Sequence, residues 1–146
     1  MKSLIQVVDN AKVTVEGEVE GSIDYGMLIF LGVKRGDGQA ELDSLLKKVV
    51  NLRIFPDEEG KMNLSIKDIN GEILVVSQFT LYADVNSGRR PGFSQAGEYS
   101  EAKKQYENFV EQLDNSVETD VESGNFGSYM KVTLTNDGPI TFMVES

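Results

Sequence analysis

The sequence predicts one α/β domain spanning residues 1–146, built on a mixed, largely antiparallel sheet with two main helices. The first observation behind this is a change of period. Apolar residues recur every second position near both ends of the chain, and every third or fourth position in two interior segments. The second is continuity: no linker, repeat or low-complexity stretch divides the 146 residues, which is about one ordinary domain. Strands, helix, strand, helix, strands is the pattern of a sheet covered by helices.

Residues 3–8 are apolar enough for a buried strand, and Val13 and Val15 alternate with Thr14 and Glu16 as in a half-buried one. Glu16-Gly17-Glu18 reads as a turn into a partner strand over Val19 to Tyr25. Met27 to Val33 is a further apolar run, and Gly32 within it marks a bulge or a close backbone approach. Leu42, Leu45, Leu46 and Val49 then share one face of a helix, for which Asp37 is a plausible N-cap. Pro56 to Gly60 is a turn cluster, and Asn70-Gly71 is a hairpin signal opening a strand at Ile73. The second helix starts near Ser100 and carries Ala102, Tyr106, Phe109, Val110 and Leu113 on one face. Met130 to Thr135 and Ile140 to Val144 are alternating strands about a turn at Asn136-Asp137-Gly138-Pro139.

Composition removes whole classes of chemistry. The chain has no cysteine, so disulfides, thiolate metal sites and thiol nucleophiles are excluded. It has no histidine, so neither a Ser-His-Asp triad nor a histidine base or metal ligand is available. The N-terminal apolar run is too short for a signal peptide, and no run approaches the roughly 20 residues of a membrane span. These features predict a soluble, cytoplasmic protein with no membrane partner. Lys and Arg number 14 against 24 Asp and Glu, a net charge of −10 that opposes nucleic-acid binding unless basic side chains cluster locally. Arg89-Arg90-Pro91-Gly92-Phe93 joins fixed charge, a restrained backbone and an aromatic, which suits phosphate or sugar contact and equally an ordinary exposed loop.

Leu74-Val75-Val76 reads as a strand buried on both faces, after which polar residues enter at Ser77, Gln78 and Thr80. If the strand continues, Ser77, Phe79 and Leu81 face one way and Gln78, Thr80 and Tyr82 the other. Such a strand either emerges into solvent or ends at a site where hydroxyl, amide and backbone N–H groups face a pocket. Asp68-Ile69-Asn70-Gly71 lacks the later ligands of a calcium loop, and Gly36-Asp37-Gly38 lacks phosphate-loop spacing, so no metal or cofactor is predicted.

Taken together, Ser77-Gln78-Phe79-Thr80-Leu81-Tyr82-Ala83-Asp84 and Asn136-Asp137-Gly138-Pro139-Ile140-Thr141 resemble the two signatures of the D-aminoacyl-tRNA deacylases. Arg53-Ile54-Phe55, Gly60-Lys61-Met62-Asn63, Gly88 to Phe93, and Gly124-Asn125-Phe126-Gly127 with Met130 fit in the same order along the whole chain. The resemblance implies that family's fold and a homodimer. It also implies hydrolysis of the ester between a D-amino acid, or mischarged glycine, and the 3′ end of tRNA, without a cofactor. Ser77, Gln78, Phe79 and Thr80 would form the catalytic strand end. Gly138, Pro139, Phe126 and Met130 would bind substrate, with a cis Gly138-Pro139 loop entering the partner's pocket and colliding with an L side chain. Arg89, Arg90, Lys61 and Arg53 would meet the tRNA. A ribose hydroxyl of the tRNA would assist, which answers the missing histidine. In the family an arginine commonly braces the Gly-Pro loop where this chain has Val7, so bracing must come from elsewhere or the loop is looser. Two other readings stay open: a non-catalytic acidic interaction domain that keeps the fold, and hydrolysis of another small ester.

Overall fold

A computed structural model of the chain describes residues 1–86 and 88–146. Six strands form the main sheet: β1 (Lys2–Val15), β2 (Glu18–Ile23), β3 (Gly26–Gly32), β6 (Glu72–Ser77), β7 (Val121–Ser123) and β8 (Lys131–Glu145). Two short strands, β4 (Phe55–Pro56) and β5 (Met62–Leu64), make a separate ribbon. The helices are α1 (Gln39–Val50), α2 (Ile66–Ile69) and α3 (Tyr99–Asp114).

β1 organises the sheet. One of its edges pairs antiparallel with β3 over Lys2 to Val8 and with β2 over Ala11 to Val15, and β8 pairs with it along nearly its full length. The two predicted N-terminal strands are therefore one. Beyond β3 the pairing becomes parallel, β3 to β6 and β6 to β7. The sheet curls until β2 returns against β6 and β7, giving a nearly closed barrel. Gly21 permits this return, since a Cβ there would stand 3.1 Å from both Leu74 and the Ser123 carbonyl.

The helices cover one face. Leu42, Leu45 and Val49 of α1 and Tyr106, Phe109 and Leu113 of α3 bury against Ile5, Val7, Ile29 and Val75. Each such aliphatic or aromatic side chain, fully removed from water, contributes roughly 1.5–3 kcal/mol. A second cluster, with Val8, Val13, Leu28, Leu74 and Val76, fills the curl of the sheet on the other face.

Four sequence expectations are corrected, the first being the two N-terminal strands that form one. Asn70-Gly71 is no hairpin: Ser65 and Asp68 cap α2 reciprocally, Asn70 ends it in the left-handed region at φ 49°, and β6 then runs parallel to β3. Asp37 does not cap α1. Gly38 occupies that position with Glu41 folded back on its amide, while Asp37 accepts from the Lys34 amide and pairs with the Met1 amino group at 2.9 Å. The strand read up to Val76 ends at Ser77 and does not continue, since Phe79–Tyr82 is a 3-10 turn. Gly32 is the close approach predicted there, because a Cβ would meet the Gln78 carbonyl and the Tyr82 ring at 3.2 Å.

The fourth correction concerns residues 136–139. The chain does not reverse. β8 continues on both sides of the segment and stays antiparallel to β1. Gln6 pairs with Thr141 and Val8 with Asn136, so Val7 alone faces residues 137–140, which loop out of the strand. The Gly138-Pro139 peptide is cis and both residues are exposed.

Candidate active site

β3, β6 and β7 end together at one rim of the sheet, the end at which open parallel arrangements bind ligands. A cleft of about 490 Å³ lies there. One wall is the end of β6 with Ser77, Gln78 and Phe79, and the other is the segment after β7 with Phe126, Ser128, Tyr129 and Met130. Tyr99 and Ala102 of α3 close the back. The lining is largely apolar and contains no Asp or Glu among the described residues, despite the charge of −10. A pocket of this size and character suits a small ligand oriented by a few polar contacts.

Local structure explains the walls. Val76 is buried, and the chain then tightens into the 3-10 turn, which brings Phe79 out to 56% exposure. Phe79 meets Phe93 edge to face at 4.9 Å between ring centroids. Asp84 and Gly92 exchange backbone hydrogen bonds at 2.8 Å, closing the loop that carries Arg89 and Arg90 beside this turn. Among the described residues, the amides of Phe79 and Thr80 have no protein acceptor, as expected at the start of a helical turn. The Thr80 hydroxyl accepts from the Gln78 side-chain amide.

The opposite wall hangs on an aromatic series. Tyr99 lies edge to face on Phe126 at 5.3 Å, and Phe126 packs on Tyr106 at 5.4 Å. The buried Tyr106 hydroxyl shares its hydrogen between the carbonyls of Val75 and Gly124, at 2.9 and 3.1 Å. Burial pushes its pKa up to about 12. Gly127 sits at φ 80° with the Tyr99 hydroxyl well inside van der Waals distance of where its Cβ would be, so glycine is required for this close approach.

The cleft thus brings together Ser77, Gln78, Phe79, Phe126 and Met130. Thr80 sits beside it, on the outer side of the turn. Gly138 and Pro139 do not line the cleft of their own chain. Arg89 and Arg90 are exposed. Arg53 and Lys61 are committed locally: Arg53 Nε donates to the Asn63 carbonyl at 2.6 Å, and Lys61 pairs with Glu59 at 2.5 Å. Sequence reasoning missed Tyr99 and Tyr129, exposed by 64% and 87% at the cleft. Tyr99 carries a signal after all, since it extends the Ala102-Tyr106-Phe109 stripe by one turn. Tyr129 has none.

Among the described residues, no group of three or more carboxylates gathers as a metal site, and no helix is long and apolar enough to cross a membrane. Fold and cleft define a mixed α/β protein with a largely apolar cleft that also offers hydroxyl, amide and backbone groups. Known proteins resemble the chain along its length. The model of a family described as D-Tyr-tRNA(Tyr) deacylase matches residues 4–145. A curated protein from Thermosipho africanus named D-aminoacyl-tRNA deacylase is 51% identical over 146 residues, covering 100% of this chain and 97% of that one. One of the same name from Pectobacterium atrosepticum is 50% identical over 147 residues, covering 100% of each. The solved structure of a c-Myc DNA unwinding element binding protein superposes with a TM-score of 0.95 at 42% identity, covering 100% of this chain and 99% of that one. That of a probable eukaryotic D-amino acid tRNA deacylase gives 0.84 at 17% identity over 99% and 98%, a likeness of fold alone. The chain belongs to the D-Tyr-tRNA(Tyr) deacylase family and is an ester hydrolase of that family.

Proposed function

We propose that this protein hydrolyses the ester joining a D-amino acid, or mischarged glycine, to the 3′ end of tRNA, and that it does so as a homodimer. The single observation that carries the reading is the assembly of Ser77, Gln78, Phe79, Phe126 and Met130 around one cleft, from segments some fifty residues apart in a sequence that matches the family throughout.

In this reading the acyl group enters between the two walls. Water attacks the ester carbonyl, the carbonyl oxygen becomes an oxyanion, and the bond to the ribose oxygen breaks. A proton passes to that ribose oxygen as it leaves. The adjacent ribose hydroxyl assists the proton movement, since the chain has no histidine and, among the described residues, no Asp or Glu lines the cleft. The free amides of Phe79 and Thr80 receive the oxyanion, and one such donor is typically worth about 3–4 kcal/mol of barrier. Thr80 takes a positioning role: its hydroxyl is engaged by Gln78 and no base stands by to activate it.

L-esters are rejected by the exposed Gly138-Pro139 loop of a second copy, which enters the cleft and leaves no room for an L side chain. The tRNA is met by Arg89 and Arg90 beside the cleft, with the exposed rings of Tyr99, Tyr129 and Phe79 offered to unpaired bases. Lys61 and Arg53 join this surface only by giving up local partners. A cytoplasmic location follows from such a substrate. The non-catalytic acidic domain is not favoured, given close to half-identical relatives over the whole chain.

The test is release of D-tyrosine and L-tyrosine from charged tRNA at micromolar enzyme. D-ester cleavage with L-ester spared is expected, and absence of D-ester cleavage sinks the proposal. Turnover of simple esters lacking a neighbouring hydroxyl would instead favour a general esterase.

A further inference from the structure

The 137–140 loop leaves a strand that remains paired on both sides of it, and one side chain closes its base. Val7, which alone spans the gap on β1, is fully buried in the helix-side core and offers the loop only its backbone. Asn136 stands at the loop's first foot. Its Nδ2 donates to the Val7 carbonyl at 2.8 Å and to the Ile140 carbonyl at 3.0 Å, using both of its hydrogens. Its Oδ1 accepts from the Thr141 hydroxyl at 3.4 Å, and that hydroxyl accepts from Gln6 Nε2 at 3.1 Å. The two feet are thereby tied to each other and to β1, while the tip at Gly138 and Pro139 stays exposed.

We propose that Asn136 is the positioning residue that holds this loop in place and so sets how strictly the L-ester is refused. The inference rests on the reading above, that the loop acts by collision. Rejection by collision needs a wall that does not yield, because a displacement of about 1 Å opens the space it is meant to deny. Nothing in Val7 supplies this firmness, whereas Asn136 bonds the neighbouring strand and the far foot at once. Removing its amide leaves two carbonyls short of a partner and the loop joined to the sheet only at its ends.

The experiment compares Asn136→Ala, Asn136→Asp, Thr141→Val and Thr141→Ser with the wild type. Aspartate keeps the size of asparagine and removes its N–H donors. The readouts are the ratio of D- to L-tyrosyl-tRNA cleavage (as kcat/KM), thermal unfolding, and amide hydrogen exchange at Gly138 and Ile140. We expect both Asn136 variants to lower the D/L ratio at least tenfold, chiefly by a gain of L-ester cleavage, and to speed exchange at the loop at least tenfold. Thr141→Val lowers the ratio by less, and Thr141→Ser restores it. A folded Asn136→Asp protein with wild-type ratio and wild-type exchange overturns the proposal. Should either Asn136 variant fail to fold, Thr141→Val with unchanged loop exchange overturns it equally. A wild type inactive on the D-ester defeats the functional reading instead, and the exchange data then judge the clasp by themselves.

Discussion

The Tyr106 hydroxyl lies 2.9 Å from the Val75 carbonyl, two residues before Ser77, and 3.1 Å from that of Gly124, two residues before Phe126. One phenol thus ties both walls of the cleft from below. The Gly124 amide bonds the same Val75 carbonyl at 2.9 Å, so the walls also hold each other directly.

Tyr106→Phe is expected to cost about 1–2 kcal/mol of stability, the usual loss when a buried hydrogen bond goes. It also changes the alkaline limb. Tyrosine titrates near 10 when unfolded and about 12 here, because burial disfavours the phenolate. A folded pKa raised above the unfolded one gives stability that is complete below pH 10 and lost as pH rises from 10 towards 12. The variant should show a flatter decline over that window in urea titrations. Some decline remains from Tyr82, whose pKa burial also raises. An alkaline slope equal to that of the wild type would refute the assignment.

Arg89→Ala with Arg90→Ala is expected to raise KM for aminoacyl-tRNA and to leave kcat nearly unchanged. The slope of log KM against log salt should fall by roughly one for each phosphate left without its arginine. Arg53→Ala should behave differently. Its guanidinium is held by Asn63 and adds to a lowering of the Asp57 and Asp68 carboxyl pKa that hydrogen bonds from the Lys61 amide and from Ser65 chiefly cause, so the variant should lower the melting temperature and keep the salt slope. Kinetics at three or more salt concentrations separate the two behaviours.

Gly127→Ala should damage the cleft more than the fold. The φ of 80° costs an L residue on the order of 1 kcal/mol, and the new methyl must also displace the Tyr99 ring. KM should rise severalfold. Gly36→Ala is the control: its φ of 88° imposes like strain in open space, so it should lose stability alone. Equal kinetics for both variants would show that Tyr99 does not matter.

A mixed dimer tests where the Gly138-Pro139 loop acts. One subunit carries Pro139→Ala and an intact cleft, and the other carries Gln78→Ala with Phe126→Ala and an intact loop. If the loop serves its neighbour, the pair should cleave D-ester at about half the wild-type rate and refuse L-ester as the wild type does. L-ester cleavage at about half that of the Pro139→Ala homodimer, which has two live clefts, would assign the loop to its own cleft.

Periodicity alone located both main helices and most strands, because burial on one face imposes spacing of two or three to four on any chain. The absence of histidine and cysteine likewise bounded the chemistry, and of the two short motifs the one starting at Ser77 contributes Ser77, Gln78 and Phe79 to the cleft while the one starting at Asn136 lies outside it. What sequence did not carry was pairing. Asn70-Gly71 has the local preference of a hairpin, and the same left-handed preference ends a short helix when Ser65 and Asp68 cap it. Asn136 to Pro139 likewise reads as a reversal, yet β1 is long enough to hold both flanks, so the segment becomes a loop out of one strand. Backbone pairing chooses between such outcomes, and its partners lie far away in sequence: Val8 for Asn136, Met27 for Ile73. The residues decided which surfaces are buried and which groups are available for chemistry. Only the tertiary structure decided which strand lies beside which, and hence what each of those groups can touch.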